Sequence, residues 1–188
     1  MPEDKPTDVH RQTRFPGTRN ALRTAVQRAA HDLIKARRGR VPAPYLPLLG
    51  SPRVADLFEQ LSTELWTGTL PRSVLEAIFL MTAHRQKCRH QWQTHADKAL
   101  AAGVTASMID TIASGGIPTD GGALEIAGRF YASLADAQHV SDDALLDAMH
   151  QFGEQGTAEL VAFCGMANMV AMLLNVQSTL EPCPIQAC

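Results

Sequence analysis

Aromatic side chains are scarce in this sequence: six Phe, two Tyr and two Trp make up 5% of its 188 residues. A core with so few rings is filled mainly by Ala and Leu, which favours close-packed helices over a sandwich or barrel. No stretch shows the period-2 alternation of a strand, and there is no repeat or low-complexity run. The four cysteines, Cys88, Cys164, Cys183 and Cys188, have neither zinc-site nor disulfide-framework spacing. Reduced thiols are therefore expected. An excess of one charge is missing too. Seventeen Lys and Arg stand against nineteen Asp and Glu, a net charge of -2, so neither nucleic acid nor an anionic membrane is expected as a partner. The balance hides an asymmetry, because residues 1–40 hold ten of the bases and only four of the acids. A basic helix face of that kind reads as solvated surface. The opening MPEDKPTDVHRQTRFPGT lacks an apolar stretch of the signal-peptide kind, and a cytoplasmic location is the expectation.

What is present is a 45% hydrophobic share, enough for one domain of this length. The pattern predicts a disordered arm over 1–17, a helical domain over 18–180 and a tail over 181–188. A first helix is expected from about Thr18 to Arg38, with Leu22, Val26, Ala29 and Leu33 on its apolar stripe and Gly39 as its stop. The proline-rich GRVPAPYLPLLG that follows reads as an extended loop. Ser51-Pro52 then opens a helix through Leu57, Phe58, Leu61 and Leu65. Pro71 opens a long segment to Gly103, Thr105 caps a short helix ended by Gly115-Gly116, and Thr119 or Asp120 starts the next. Ser141, with Asp142 and Asp143 behind it, marks another N-terminus. Residues 158–174 are apolar nearly all round. Glu159, Asn168 and Asn175 interrupt them, so a buried or subunit-interface helix is expected and no membrane span.

The informative segment is Glu76-AIFLMTAHRQK-Cys88-RHQWQT-His95. Steps of three and four residues place Glu76, His84, Cys88, Gln91 and His95 near one stripe if the segment is one helix. Three readings stay open on spacing alone: a solvent face, a metal site, and an acid–base or thiol site. One helix cannot close a tetrahedral site, and no second His or Cys cluster appears, so no metal is expected.

Four stretches carry a resemblance. Residues 39–49 (GRVPAPYLPLL), 70–80 (LPRSVLEAIFL), 88–103 (CRHQWQTHADKALAAG) and 152–160 (FGEQGTAEL), with AMLLN at 171–175, resemble in order the conserved pieces of the carboxymuconolactone decarboxylase / alkylhydroperoxidase D-like superfamily. The resemblance implies an all-α bundle of about seven helices, assembled as a homo-oligomer (dimer, trimer or hexamer), working on a small-molecule substrate. His95 matches the family's signature histidine and Glu76 its helix glutamate. Cys88 and His95 keep the interval of the peroxidase branch's C-x-x-C-x-x-x-H motif, with Gln91 in place of the second cysteine. His90-Gln91 stand where the decarboxylase-like branch favours Tyr-Glu before Trp92. In the family this region is two helices with a kink before the cysteine, although no Gly or Pro marks one in this sequence.

The leading expectation is a cofactor-free lyase or isomerase acting on a small carboxylated or oxygenated ring compound, with His95 and Glu76 as its acid–base groups. Arg40 and Tyr45 are candidates to hold a substrate carboxylate, and Trp92, Gln91 and His84 to line the pocket. Cys88 is a third candidate catalytic group. At a helix start or beside His95 its thiolate is favoured, and a thiol peroxidase of the alkylhydroperoxidase type is the alternative. A binding or assembly protein that has kept the fold without catalysis is the third reading.

Overall fold

The computed structural model describes residues 14, 15, 19–137 and 139–177. The described residues form eight α-helices and a 3-10 turn, with no strand among them, so the chain is all-α. The expected arm and tail fall almost wholly outside the described residues. Two compact units are present: one runs through Glu59 and adds residues 173–177, and the other is 60–172.

In the first unit, a 3-10 turn (Arg19–Ala21) leads to α1 (Ala25–Arg38). Helix α1 begins later than the apolar pattern suggests because Thr24 and Gln27 form a reciprocal cap. The Thr24 hydroxyl accepts from Gln27 N at 3.1 Å, and the Gln27 side-chain Oε1 accepts from Thr24 N at 3.0 Å. Its buried side is Ala30 and Ile34, with Leu22 just before the helix, whereas Val26 is 65% exposed. The expected stripe is thus rotated by about one residue, roughly 100° around the axis. Gly39, at φ 74°, ends the helix as expected. The proline-rich segment is not wholly extended, since Tyr45–Leu48 make one turn, α2. Pro47 fits there because the first turn of a helix has no use for its missing N–H. The Arg38 guanidinium donates to buried Glu59 at 2.7 Å.

Helix α3 (Pro52–Thr67) starts with proline at its first position, and Ser51 O accepts from Ala55 N at 3.1 Å. Phe58 and Leu65 are buried as expected, but Leu57 and Leu61 face solvent.

The second unit is organised on α4 (Arg72–Arg85), whose residues from Val74 to Ala83 are all buried. It packs on α5 (Arg89–Ala101), α6 (Ala106–Ala113) and α7 (Ala123–Asp136). The segment 71–103 is therefore two helices, not one. The break is a Schellman turn: Cys88 N donates to Ala83 O at 2.8 Å and Lys87 N to His84 O at 3.2 Å. Lys87 takes the left-handed conformation, φ 50°, that glycine usually supplies. Thr105 caps α6 through Met108 N, and Asp120 accepts from the backbone of Gly122, Leu124 and Glu125 at the start of α7. Helix α8 (Asp142–Gln177) begins behind Ser141, whose hydroxyl accepts from Ala144 N, and is interrupted at Gly153, φ 72°. It is long and apolar enough to cross a membrane, with half of its most apolar stretch buried against protein. Glu159 on α8 accepts from Thr69 N at 2.7 Å and Thr69 Oγ1 at 2.8 Å, which ties the lead-in of α4 to α8.

Candidate active site

Because the Schellman turn folds α5 back along α4, residues nineteen apart in sequence meet side by side. Glu76, on the buried helix α4, is wholly inaccessible to solvent. Its Oε2 lies 2.6 Å from His95 Nδ1 on α5. Its other oxygen lies 2.7 Å from Arg72 Nη2, one helical turn earlier, an ion pair outside good hydrogen-bond geometry. A buried carboxylate needs such partners, and here a cation and an imidazole N–H supply them.

The pairing fixes the histidine's chemistry. An ionised carboxylate only accepts, so Nδ1 carries the proton and donates, which leaves the Nε2 lone pair as the reactive position. Burial pulls the His95 pKa below its ordinary 6.5, outweighing the hydrogen bond and charge of Glu76, which act upward; Lys98 and Arg72 add to the downward shift. At neutral pH His95 is an uncharged imidazole, with 13% of its side chain exposed.

Rings hold it in place. Phe79 stacks on His95 at 4.4 Å, and Trp66 lies nearly parallel to it at 6.1 Å. Phe163 from α8 packs edge-on to Trp66 at 5.1 Å and against Phe79 at 5.3 Å. Arg72 stands 4.1 Å over the Trp66 ring. Its guanidinium is therefore held by Glu76 and by the aromatic face, while its side chain remains 53% exposed. Of its five N–H donors, most remain for a ligand.

The other expected site residues are placed differently. Cys88 is the N-cap of α5, but its side chain is 1% exposed and burial pushes its thiol up to about 11, against the pull of the Gln91 and His90 backbone. The expectation that a helix start favours its thiolate is corrected: desolvation wins over the helix end. Gln91 is buried one turn before His95; its Nε2 donates to Phe79 O at 2.9 Å, and its Oε1 has no partner. His84 does not join the dyad. It lies against the turn after α6, where a Cβ on Gly115 would come 3.1 Å from its Nε2, and Gly115 is at φ 85°. Trp92 is half-buried on α5 and takes no part in the ring stack, in which Trp66 stands instead. Tyr45 is a core residue of the first unit, packed on Phe58 at 5.4 Å, and Arg40 in that unit is exposed. Among the described residues, no group of three His, Cys, Asp or Glu side chains could hold a metal ion.

Sequence reasoning missed Arg72 and Trp66. Arg72 was visible as the residue four before Glu76, a spacing that brings helical side chains together. Nothing in the sequence marked Trp66, because α3 meets the site only through tertiary packing.

The site of this all-α protein thus sets a carboxylate-oriented, neutral imidazole against an aromatic wall, with a cation beside it. Residues 52–133, from α3 into α7, match the carboxymuconolactone decarboxylase family. Glu76, Cys88, Gln91, Trp92 and His95 lie inside the matched segment, whereas Arg40 and Tyr45 lie before it. No curated protein matches the chain.

Proposed function

We propose that this chain is a lyase or isomerase of the carboxymuconolactone decarboxylase type, acting on a small carboxylated or oxygenated ring compound. In an isomerisation His95 Nε2 takes a proton from a carbon acid next to a carbonyl, leaving an enolate and an imidazolium paired with Glu76. The imidazolium then returns that proton to another carbon. In a decarboxylation no proton is removed first: the electron pair of the C–CO2 bond passes into the carbonyl as carbon dioxide departs, and the resulting enolate takes a proton that His95 relays from water. Arg72 holds the substrate's carboxylate, in the role that sequence reasoning gave to Arg40 and Tyr45.

The observation that carries this reading is the 2.6 Å contact between wholly buried Glu76 and neutral His95. A peroxidase reading draws no comparable support, since it needs a thiolate and a resolving thiol. Cys88 is a buried, protonated thiol, and Gln91 occupies the position of the second cysteine. We also propose that the chain works as a homo-oligomer. Leu145, Leu146 and Met149 on α8 are each more than a third exposed, an apolar surface that a second subunit would cover.

The test is solvent exchange. A panel of unsaturated lactone and enol-lactone carboxylates is incubated with the protein in deuterium oxide and followed by proton NMR. Deuterium incorporation or carbon dioxide release that disappears in His95→Ala supports the reading. A panel unchanged by the wild-type protein, alongside fast repeated peroxide turnover, contradicts it.

A further inference from the structure

A cleft of about 420 Å³ lies between α4, α7 and α8 and shares no residue with the Glu76–His95–Arg72 cluster. Its size is that of a small-molecule site. Arg85 and Gln86 at the end of α4, Tyr131 on α7, and Cys164 and Asn168 on α8 form its polar part; among the described residues, no acidic side chain lines it.

The polar groups divide into those already engaged and those left over. Gln86 Nε2 donates to Asn168 Oδ1 at 3.1 Å, and Asn168 Nδ2 donates to Cys164 O at 2.9 Å. The Tyr131 hydroxyl is buried; Thr82 and Asn168 are its polar neighbours, and neither meets it in good hydrogen-bond geometry. The Arg85 guanidinium stands 5.8 Å over the Tyr131 ring and pairs at 2.5 Å with Asp136, whose side chain is 64% exposed. An exposed carboxylate is a weak competitor, since a surface ion pair gains little. What the cleft offers a ligand is therefore a cation and an O–H donor, beside apolar walls from Leu134, Ala135 and Val161. On the α8 side, a Cβ added to Gly165 would meet nothing within 4 Å, so space stands open there.

We propose that this cleft binds a small organic carboxylate with an apolar body, its charge held by Arg85 and Tyr131. Benzoate is the probe, with benzamide as its neutral counterpart, titrated calorimetrically into the full-length protein. Benzoate is expected to bind at least about tenfold more tightly than benzamide, as a charge-assisted contact requires. Arg85→Gln, which removes the cation, and Gly165→Val, which fills the space and leaves Arg85 in place, should each abolish binding in protein that is folded by circular dichroism. Arg72→Gln should leave it unchanged. The proposal is overturned if benzoate does not bind, if benzamide binds equally well, or if binding survives both Arg85→Gln and Gly165→Val. Loss in Arg72→Gln with retention in Arg85→Gln would assign the ligand to the acid–base site and overturn it as well.

Discussion

Glu76 Oε2 and His95 Nδ1 lie 2.6 Å apart, joining the most deeply buried helix of the second unit to the helix that folds back along it. The carboxylate is not exposed at all, while the imidazole reaches solvent with 13% of its side chain. Such an arrangement holds the imidazole by one nitrogen and leaves the other outside that contact.

His95→Ala should lower lyase or isomerase turnover by roughly 10²-fold or more, the usual contribution of a positioned acid–base group. Glu76→Gln keeps the shape and should have a smaller effect, because it weakens orientation without removing the base. Steady-state kinetics with circular dichroism checks both; a folded, fully active His95→Ala would dismiss the acid–base mechanism.

The depressed His95 pKa predicts a sign for pH dependence. With the folded value below 6.5 and the unfolded value near it, the unfolded chain binds more protons over that interval. Stability contributed at His95 is thus complete above the unfolded value and falls as pH drops through 6.5 towards the folded value. Melting temperatures between about pH 7 and pH 5 should fall more for wild type than for His95→Gln. Equal falls would contradict the burial argument.

Cys88 should be unreactive. A thiol raised to about 11 is thiolate at only about one part in 10⁴ at neutral pH, so alkylation by iodoacetamide should be far slower than for a free cysteine. Cys88→Ser should spare turnover on the lactone panel. Rapid labelling, or peroxide turnover that vanishes in Cys88→Ser, would favour the peroxidase instead.

Lys87→Gly should stabilise the protein by up to about 1 kcal/mol, since it relieves a left-handed residue at an exposed turn while loosening the unfolded chain. Urea unfolding measures this, and a loss of stability would show that the Lys87 side chain holds the turn in a way its backbone does not reveal.

Lys87 also marks where the sequence stopped being informative. Caps at Thr105, Ser141 and Gly39 were readable because their side chains or missing Cβ act locally on the backbone. The break between α4 and α5 was not, because a lysine occupies the position where glycine would have announced it. Helical spacing put Glu76 and His95 near a shared stripe, and they do meet, but across the break that the resemblance implied before the cysteine. The stripe therefore misplaced His84, which packs on the Gly115 turn. The apolar pattern of α1 was read one residue out of phase, because Leu22 belongs to the lead-in and not to the helix. Trp66 and Phe163 reach His95 through packing between helices far apart in sequence, which periodicity within one segment does not encode.

Sedimentation velocity at micromolar concentration tests the assembly. A species larger than the 20.4 kDa chain is expected, and Leu146→Glu, at a residue 54% exposed, should dissociate it. A monomer throughout would leave the apolar face of α8 without the partner proposed for it.

Whether His95 is a neutral base oriented by Glu76 is read from NMR of the ¹⁵N-labelled imidazole. A proton on Nδ1 and a bare Nε2 are expected at neutral pH. The titration midpoint is expected below 6.5 and lower still in Glu76→Gln, because the carboxylate acts to raise it. A proton on Nε2, or a midpoint at or above 6.5 that ignores Glu76→Gln, would show that His95 is not such a base.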